Sequence, residues 1–490
     1  MTRKVVFVVL VVALLCTACG QRRSGFGYAV VDGGIIIGEY FGFMKDVVIP
    51  REINGLPVVA IYNEAFAKKG LRSVVIPDTV TSIGYLAFDK NRLTSIDIPD
   101  SVTNISYGAF RDNQLTSVVV PNPDAFIEEY AFAGNSVKGA PVPFSTMTHR
   151  DAITIIGYNQ NQRDVVIPES INGLPVVAVG DAVFAKRQLT SVVIPPSVTS
   201  IGREAFYENG LTSVVIPDSV TFIGEQAFRF NQLTEVIIPH SVSSIEGWAF
   251  TQNRLSRVVI PDSGISIGKW AFARNRLTNV VIPDSVNLIE EDVFEANSVD
   301  GADTPFSIMT FRNTITIIGY NRSEKNVIIP ESINGLPVVT IYAGAFAAKE
   351  LTSVVIPDSV TAICAGAFGN NRLTSVTIPD SVTSIGDFAF SANELTTVVI
   401  SNSVVSIGGY AFDNNKLTNV VIGNSVTAIG RDAFSKNRLT NITIPDSVTS
   451  IGIFAFSKNR ITKVVIPNFV EDIAYAFDKN VEIIMPDNEK

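Results

Sequence analysis

Histidine and tryptophan each occur only twice, and cysteine three times, in 490 residues. Those scarcities remove whole classes of chemistry. His149 and His240 fall in different repeats, and no HisGluxxHis, paired CysxxCys, GlyxSerxGly or phosphate-binding glycine loop appears. The sequence therefore offers no metal site, no cofactor site and no nucleophilic constellation, and the chain reads as a non-enzyme. Beyond residue 20 only Cys364 remains, so the rest of the chain holds no pair for a disulfide. Charge is thin as well: 38 Lys and Arg are scattered among 47 Asp and Glu, and the net charge of −9 argues against a nucleic-acid binder. Long apolar runs are missing except residues 5–15, eleven residues that are too short to span a bilayer but suit a signal segment behind Thr2, Arg3 and Lys4.

What the sequence does have is repetition. The stretch LTSVVIPDSVTFIGEQAFRFNQ, residues 211–232, recurs in near-copies every 22 residues. Its AlaPhe phenylalanine gives the series Phe66, Phe88, Phe110, Phe132; Phe184, Phe206, Phe228, Phe250, Phe272, Phe294; and Phe346, Phe368, Phe390, Phe412, Phe434, Phe456, Phe477, seventeen copies in all. A fixed period in the twenties marks a repeat solenoid, in which each coil buries its apolar side only by stacking on its neighbours.

Within one coil, Leu211, Val214 and Ile216 follow an LxxLxL spacing that alternates at its end like a half-buried strand, so these three point inward while Ser213 and Val215 face out. Pro217 closes the strand, because it cannot donate to a ladder, and Asp218 and Ser219 turn the chain. The recurrent Asp78, Asp100, Asp218, Asp284, Asp358 and Asp380 need no calcium to explain them. Residues 220–223 predict a second short strand ended by Gly224, and GluGlnAlaPhe predicts about one helical turn. Ser106, Glu128, Glu246, Glu290 and Cys364 share the glycine slot, so no positive φ is required there. Asparagine stands three residues after the phenylalanine in fourteen of the seventeen copies; Lys69, Arg187 and Lys349 are the exceptions. Stacked coils align these amides as a ladder that satisfies backbone groups at the turn into the next strand.

The pattern LxxLxLPxxLxxIGxxAF with its asparagine slot resembles the BspA-like, treponemal-type leucine-rich repeat, here with Val or Ile for several leucines and Asn where relatives often carry Cys. The resemblance implies a leucine-rich-repeat solenoid, mainly parallel β with short helical turns, of about twenty coils of 22 residues. It also implies a bacterial surface or secreted protein that binds host matrix proteins or other cells. Thr17 and Ala18 leading into Cys19, then Gly20, resemble a lipobox with Cys16 in place of the usual leucine. That resemblance implies cleavage before Cys19, lipidation of its thiol and a membrane attachment through lipid only; an ordinary secretory cleavage nearby is the alternative.

Three headers, PREINGLPVV at 50–59, PESINGLPVV at 168–177 and PESINGLPVV at 330–339, open successive blocks. They lie 118 and 162 residues apart, which is three or five ordinary periods plus one enlarged interval of 52. Both enlarged intervals contain the same material, NSVKGAPVPFSTMTHRDAITIIGYN and NSVDGADTPFSIMTFRNTITIIGYN, so a whole block has been duplicated. ITIIGYN predicts an inserted strand, and the ProPheSer segment before it a loop or short helix. YAVVDGGIIIGEY, residues 28–40, predicts a first hairpin or cap. The expected organisation is a signal peptide at 1–18, a lipid-anchored tether at 19–27, a first block with its cap at 28–135, a second at 136–297 and a third with a C-terminal cap at 298–490.

Two surfaces are candidates for function. On the outward face of the principal sheet small polar residues run beside an apolar stripe, and individuality enters at Glu235, Arg257, Asn279 and Lys463 beside Val215, Ile237, Val259 and Val281. Such a stripe marks an interaction site or serves only lateral packing of β-branched residues. Trp248 and Trp270 occupy one slot, two before the phenylalanine, in successive copies. Facing solvent they form an aromatic patch for sugar or protein; otherwise they broaden the core. The expected function is exported, lipid-anchored, non-covalent protein binding or adhesion at the outer membrane or cell surface. The alternatives are a periplasm-facing envelope scaffold and a carbohydrate-binding surface module.

Overall fold

The computed structural model describes residues 25–485 except 139, 298, 300, 301, 468, 469, 471, 472 and 474. Cys19, the signal segment and the start of the tether lie outside the described residues, as do the last five positions of the C-terminal cap. The chain divides into two compact units. One runs through Leu233 and takes in Pro239–Phe250; the other comprises Thr234–Ile238 and everything from Thr251 onward. Each is a parallel β-solenoid, and the coils number about twenty in all.

Most coils contribute a three-residue strand to one sheet and a two-residue strand to another; at 95–97, 213–215, 375–377 and 441–443 the first of these is not formed. Ser191–Val193 pairs in parallel with Asp164–Val166, and Ser200–Ile201 with Phe222–Ile223. In the three-residue strands the outer two side chains are exposed and the central one buried, the alternation that a pleated strand imposes on SerValVal. Leu211, Ile216, Val220, Ile223, Ala227 and Phe228 are all buried. Val220 N–H donates to Pro217 O at 3.0 Å, so the ProAsp segment turns the chain as its residues suggest.

The AlaPhe segments differ from expectation. Among the described residues there is no helix; these segments are tight turns. Ala227 N–H donates to Gly224 O at 3.1 Å and Arg229 N–H to Gln226 O at 3.1 Å, while Phe228 N–H leaves the coil and donates to Ala249 O at 2.8 Å. The physical reason is a left-handed residue on either side of the AlaPhe pair. The slot two before the phenylalanine has positive φ in every copy from Glu64 at 58° to Phe454 at 61°, all between 51° and 64°, and a second follows at positions such as Phe230 at 59°. Left-handed residues cannot continue a right-handed helix. Gly224 itself has no positive φ; its slot is one of close approach, where a Cβ would stand 2.6 Å from the Arg203 nitrogen.

Stacking fills each interior. Phe66, Phe88, Phe110 and Phe132 lie ring over ring at centroid separations of 5.0, 5.2 and 5.3 Å, and Phe184, Phe206, Phe228 and Phe250 repeat this at 5.2, 5.1 and 5.2 Å. In the second unit the column runs from Phe346 to Phe477 at 5.1–5.4 Å. The asparagine ladder forms as its spacing suggests. Asn91 is buried, donates to Phe66 O at 2.8 Å and to Phe88 O at 2.9 Å, and accepts from Leu71 N–H at 3.0 Å. Asn113, Asn231, Asn371 and Asn437 each accept a leucine N–H in the same way.

Each block begins with one hairpin, and here the ProPheSer reading is corrected: that segment is a strand. Phe144–His149 pairs antiparallel with Ala152–Tyr158, and Phe306–Phe311 with Thr314–Tyr320, because SerThrMetThr and SerIleMetThr supply strand-forming residues to a buried ladder. The cap hairpin, Phe26–Val31 with Gly34–Tyr40, has the same register. All three start from a Phe–Tyr pair, and the tyrosine ring lies against the first phenylalanine of its column at 5.2–5.4 Å. The inner hairpins also join blocks. Phe144–His149 pairs with Ser117–Val119 of the first block, and Ala152–Tyr158 pairs with Leu174–Val179 of the second.

Candidate functional site

The face predicted from sequence as one principal sheet is carried by three-residue strands that, among the described residues, pair with one another only in twos, and residues 213–215 occupy the same slot without forming a strand. Val215 is 80 % exposed, and Ile237 and Val281 are also exposed, whereas Val259 is half-buried. The same slot exposes Val48, Val75, Val119, Val166 and Val193 in the first unit, and Ile328, Val355, Val399, Val421 and Val465 in the second. Buried neighbours on alternate positions hold each strand, so these side chains are free of any role in the interior.

The residues that give this face individuality are mostly paired with one another. Glu235 and Arg257 stand directly opposite on adjacent strands and form an ion pair through Oε1 and Nη1. Lys463 Nζ lies 3.5 Å from Glu482 Oε1, and Asn279 is exposed opposite Ile308. At the start of the second block Asp164 accepts from Ser191 Oγ at 2.7 Å and Thr190 Oγ1 at 2.8 Å, and these hydroxyls hold its carboxyl below the usual range. The charges thus largely cancel between neighbouring coils and leave the apolar row as the distinguishing feature.

Trp248 and Trp270 are both half-buried and both left-handed, with φ of 58° and 57°. Trp270 Nε1 donates to Glu295 Oε2 at 2.8 Å, and Lys269 Nζ sits over its ring at 4.3 Å from the centroid. A cation on the ring face and a carboxylate on the indole nitrogen leave less of Trp270 for a sugar.

One feature escaped sequence reasoning. Where the first block meets the second, a cleft of about 730 Å³ opens between the coil carrying Tyr130 and the coils carrying Gly180, Gly202 and Gly224. Its signal was available: the headers continue as AlaIleTyrAsn at 60–63, AlaValGlyAsp at 178–181 and ThrIleTyrAla at 340–343. Gly180 therefore stands where Tyr62 and Tyr342 stand. At the later junction Tyr342 is largely buried, and burial pushes its hydroxyl up while the Phe294 and Val293 backbone hydrogen-bonds it. At the earlier one Asp181 takes that bridging role, accepting Tyr130 N–H at 2.6 Å and Arg203 N–H at 2.8 Å, and the space of a tyrosine side chain is left open.

Among the described residues, no helix is long and apolar enough to cross a membrane. The chain matches no functionally curated protein. Solved structures similar to it include a leucine-rich cell surface protein from Faecalibacterium prausnitzii, 21 % identical over 95 % of this chain and 94 % of that one with a TM-score of 0.29. A leucine-rich repeat protein from Bacteroides ovatus is 19 % identical over 96 % and 100 %, with a TM-score of 0.29. The pneumococcal vaccine antigen PcpA is 17 % identical over 72 % and 99 %, with a TM-score of 0.41. The sequence model of the BspA-type leucine-rich repeat region matches residues 51–172, 177–300, 339–452 and 406–487. With most of the chain matched, and with the coil, asparagine slot and phenylalanine column in place, the protein belongs to the BspA-type leucine-rich repeat family.

Proposed function

We propose that the protein is an exported, lipid-anchored adhesin-like scaffold of the bacterial surface that binds a protein partner non-covalently through the exposed face of its three-residue strands. The observation that carries the reading is the row of solvent-facing Val and Ile side chains, such as Val166 and Val193, on strands whose charged residues pair among themselves, with Val215 exposed in the same slot of the next coil. A soluble protein seldom keeps a contiguous apolar row exposed without a use for it. Membership of a repeat family built for binding supports the same reading, and Cys19 is the residue that would carry the lipid.

Protease shaving of intact cells, with a periplasmic protein as leakage control, tests the location. Release of solenoid peptides while the control stays intact supports surface display; release only after the outer membrane is broken replaces adhesion with an envelope scaffold. At the level of the face, Val215→Lys and Val193→Lys are expected to weaken adhesion to immobilised host matrix proteins at least tenfold while leaving Tm unchanged. Unchanged adhesion would remove this face from the reading.

A further inference from the structure

The junction cleft carries an inference of its own. Its floor and walls gather Glu128, Glu129, Asp181, Glu225 and Glu246 against Arg150 and Arg203, with His149 beside them. Three of the acids are already engaged: Arg203 Nη1 lies 3.1 Å from Glu225 Oε2, Glu128 Oε2 accepts Tyr107 N–H at 2.7 Å, and Asp181 caps the two backbone N–H groups named above. Arg150 turns its Nε to Pro123 O at 2.6 Å. Glu129 and Glu246 form no salt bridge among the described residues; Glu246 accepts the Ser244 hydroxyl at 2.5 Å. Burial raises the Glu129 carboxyl, the carboxylates of Asp181, Glu225 and Glu246 raise it further, and the Arg203 guanidinium opposes them in part. An aromatic wall completes the site: Tyr85, Tyr107 and Tyr130 stack at 5.7 and 5.3 Å and end at the cleft, where the Arg203 guanidinium caps Tyr130 at 5.7 Å.

The volume lies within the range of small-ligand sites. Excess negative charge lining a cleft favours a positive guest, since such a guest relieves carboxylate repulsion. No three of the described His, Cys, Asp or Glu side chains converge as metal ligands. A guest that engages both Glu129 and Glu246 carries more than one positive group.

We propose that the cleft opened by Gly180 binds an alkylammonium ligand, carried either by a free polyamine or by the lysine side chains of a polypeptide segment. Gly180 provides the space, Glu129 and Glu246 the unneutralised charge, and Tyr130 the aromatic wall. The site is separate from the exposed valine row, so it stands whether or not that face binds a protein.

Isothermal titration of the full chain at low salt tests this with spermidine, with a capped Lys-Gly hexapeptide and with citrate as an anionic control. Saturable binding of spermidine or the peptide, weakened at least tenfold in the double variant Glu129→Gln, Glu246→Gln, is the expected result. Binding of both probes assigns a free polyamine as sufficient; binding of the peptide alone assigns a chain segment. Gly180→Tyr, which places in the cleft the residue found at both other headers, is expected to abolish binding without removing a carboxylate. Since its Cβ meets Ile155 O at 2.7 Å, folding is checked by thermal melting, and the charge variant decides if it misfolds. Absence of saturable binding by either probe, preference for citrate, or full binding by a folded variant overturns the proposal.

Discussion

Leu211 and Asn231, twenty residues apart, are joined by a 3.1 Å hydrogen bond from the leucine N–H to the asparagine Oδ1. The same amide donates to Phe206 O at 2.8 Å and to Phe228 O at 3.1 Å, so one side chain closes three backbone groups across two coils. Asn231→Leu keeps the size and leaves those groups buried without partners. The expected loss is about 2–4 kcal/mol, read as a lowered urea midpoint; a change under about 0.5 kcal/mol would show that water replaces the amide.

The left-handed turns give a prediction of opposite sign. Gln226 holds φ at 58° without the freedom of glycine. Gln226→Gly is expected to stabilise the protein by about 0.5–1 kcal/mol, and Gln226→Val to destabilise it by at least about 1 kcal/mol. Thermal melting of the pair checks this, and equal Tm values for the two would contradict the strain.

Cys364 occupies the glycine slot of its coil, and burial, followed by the Asp292 carboxylate, pushes its thiol from an ordinary 9.0 up to about 11. The thiolate fraction at pH 8 should fall about a hundredfold below that of an unperturbed cysteine. Alkylation by iodoacetamide should therefore be slow in the folded protein and become fast in urea. The sign for stability follows: the folded state holds its proton through the interval from 9.0 to about 11, so this group's contribution declines as pH rises across it. Alkylation at the rate of free cysteine under native conditions would refute the burial.

Glu235 and Arg257 are exposed, and an exposed pair contributes little. Glu235→Gln should cost less than about 1 kcal/mol, and that cost should vanish in 1 M salt. A larger, salt-insensitive loss would mean that the pair does more than cancel charge.

What could be read from the sequence was whatever repeats. Phe228 recurs at fixed spacing because it stacks on its counterparts Phe206 and Phe250, and Asn231 because it joins the backbone of Phe206 and Leu211 to that of Phe228, and this made the solenoid, the buried column and the amide ladder visible. The turn around Gln226 was missed: Glu, Gln, Trp and Tyr at that slot hide the positive φ, the glycines Gly108, Gly344 and Gly366 that share it were its only sign, and GluGlnAlaPhe has the composition of a helix. Phe144 was missed as the start of a strand because it occurs once per block rather than once per coil. The cleft is harder still, since it arises from a side chain that Gly180 lacks and needs three headers and their packing to be seen.

The three hairpins share one register, so the element opening the first block at Phe26–Val31 is interchangeable in form with those at Phe144–His149 and Phe306–Phe311. Unequal recombination between gene segments that encode whole blocks would then deliver strand edges that already match. The reach of the product can change across generations in steps of a block, with no misfit protein in between.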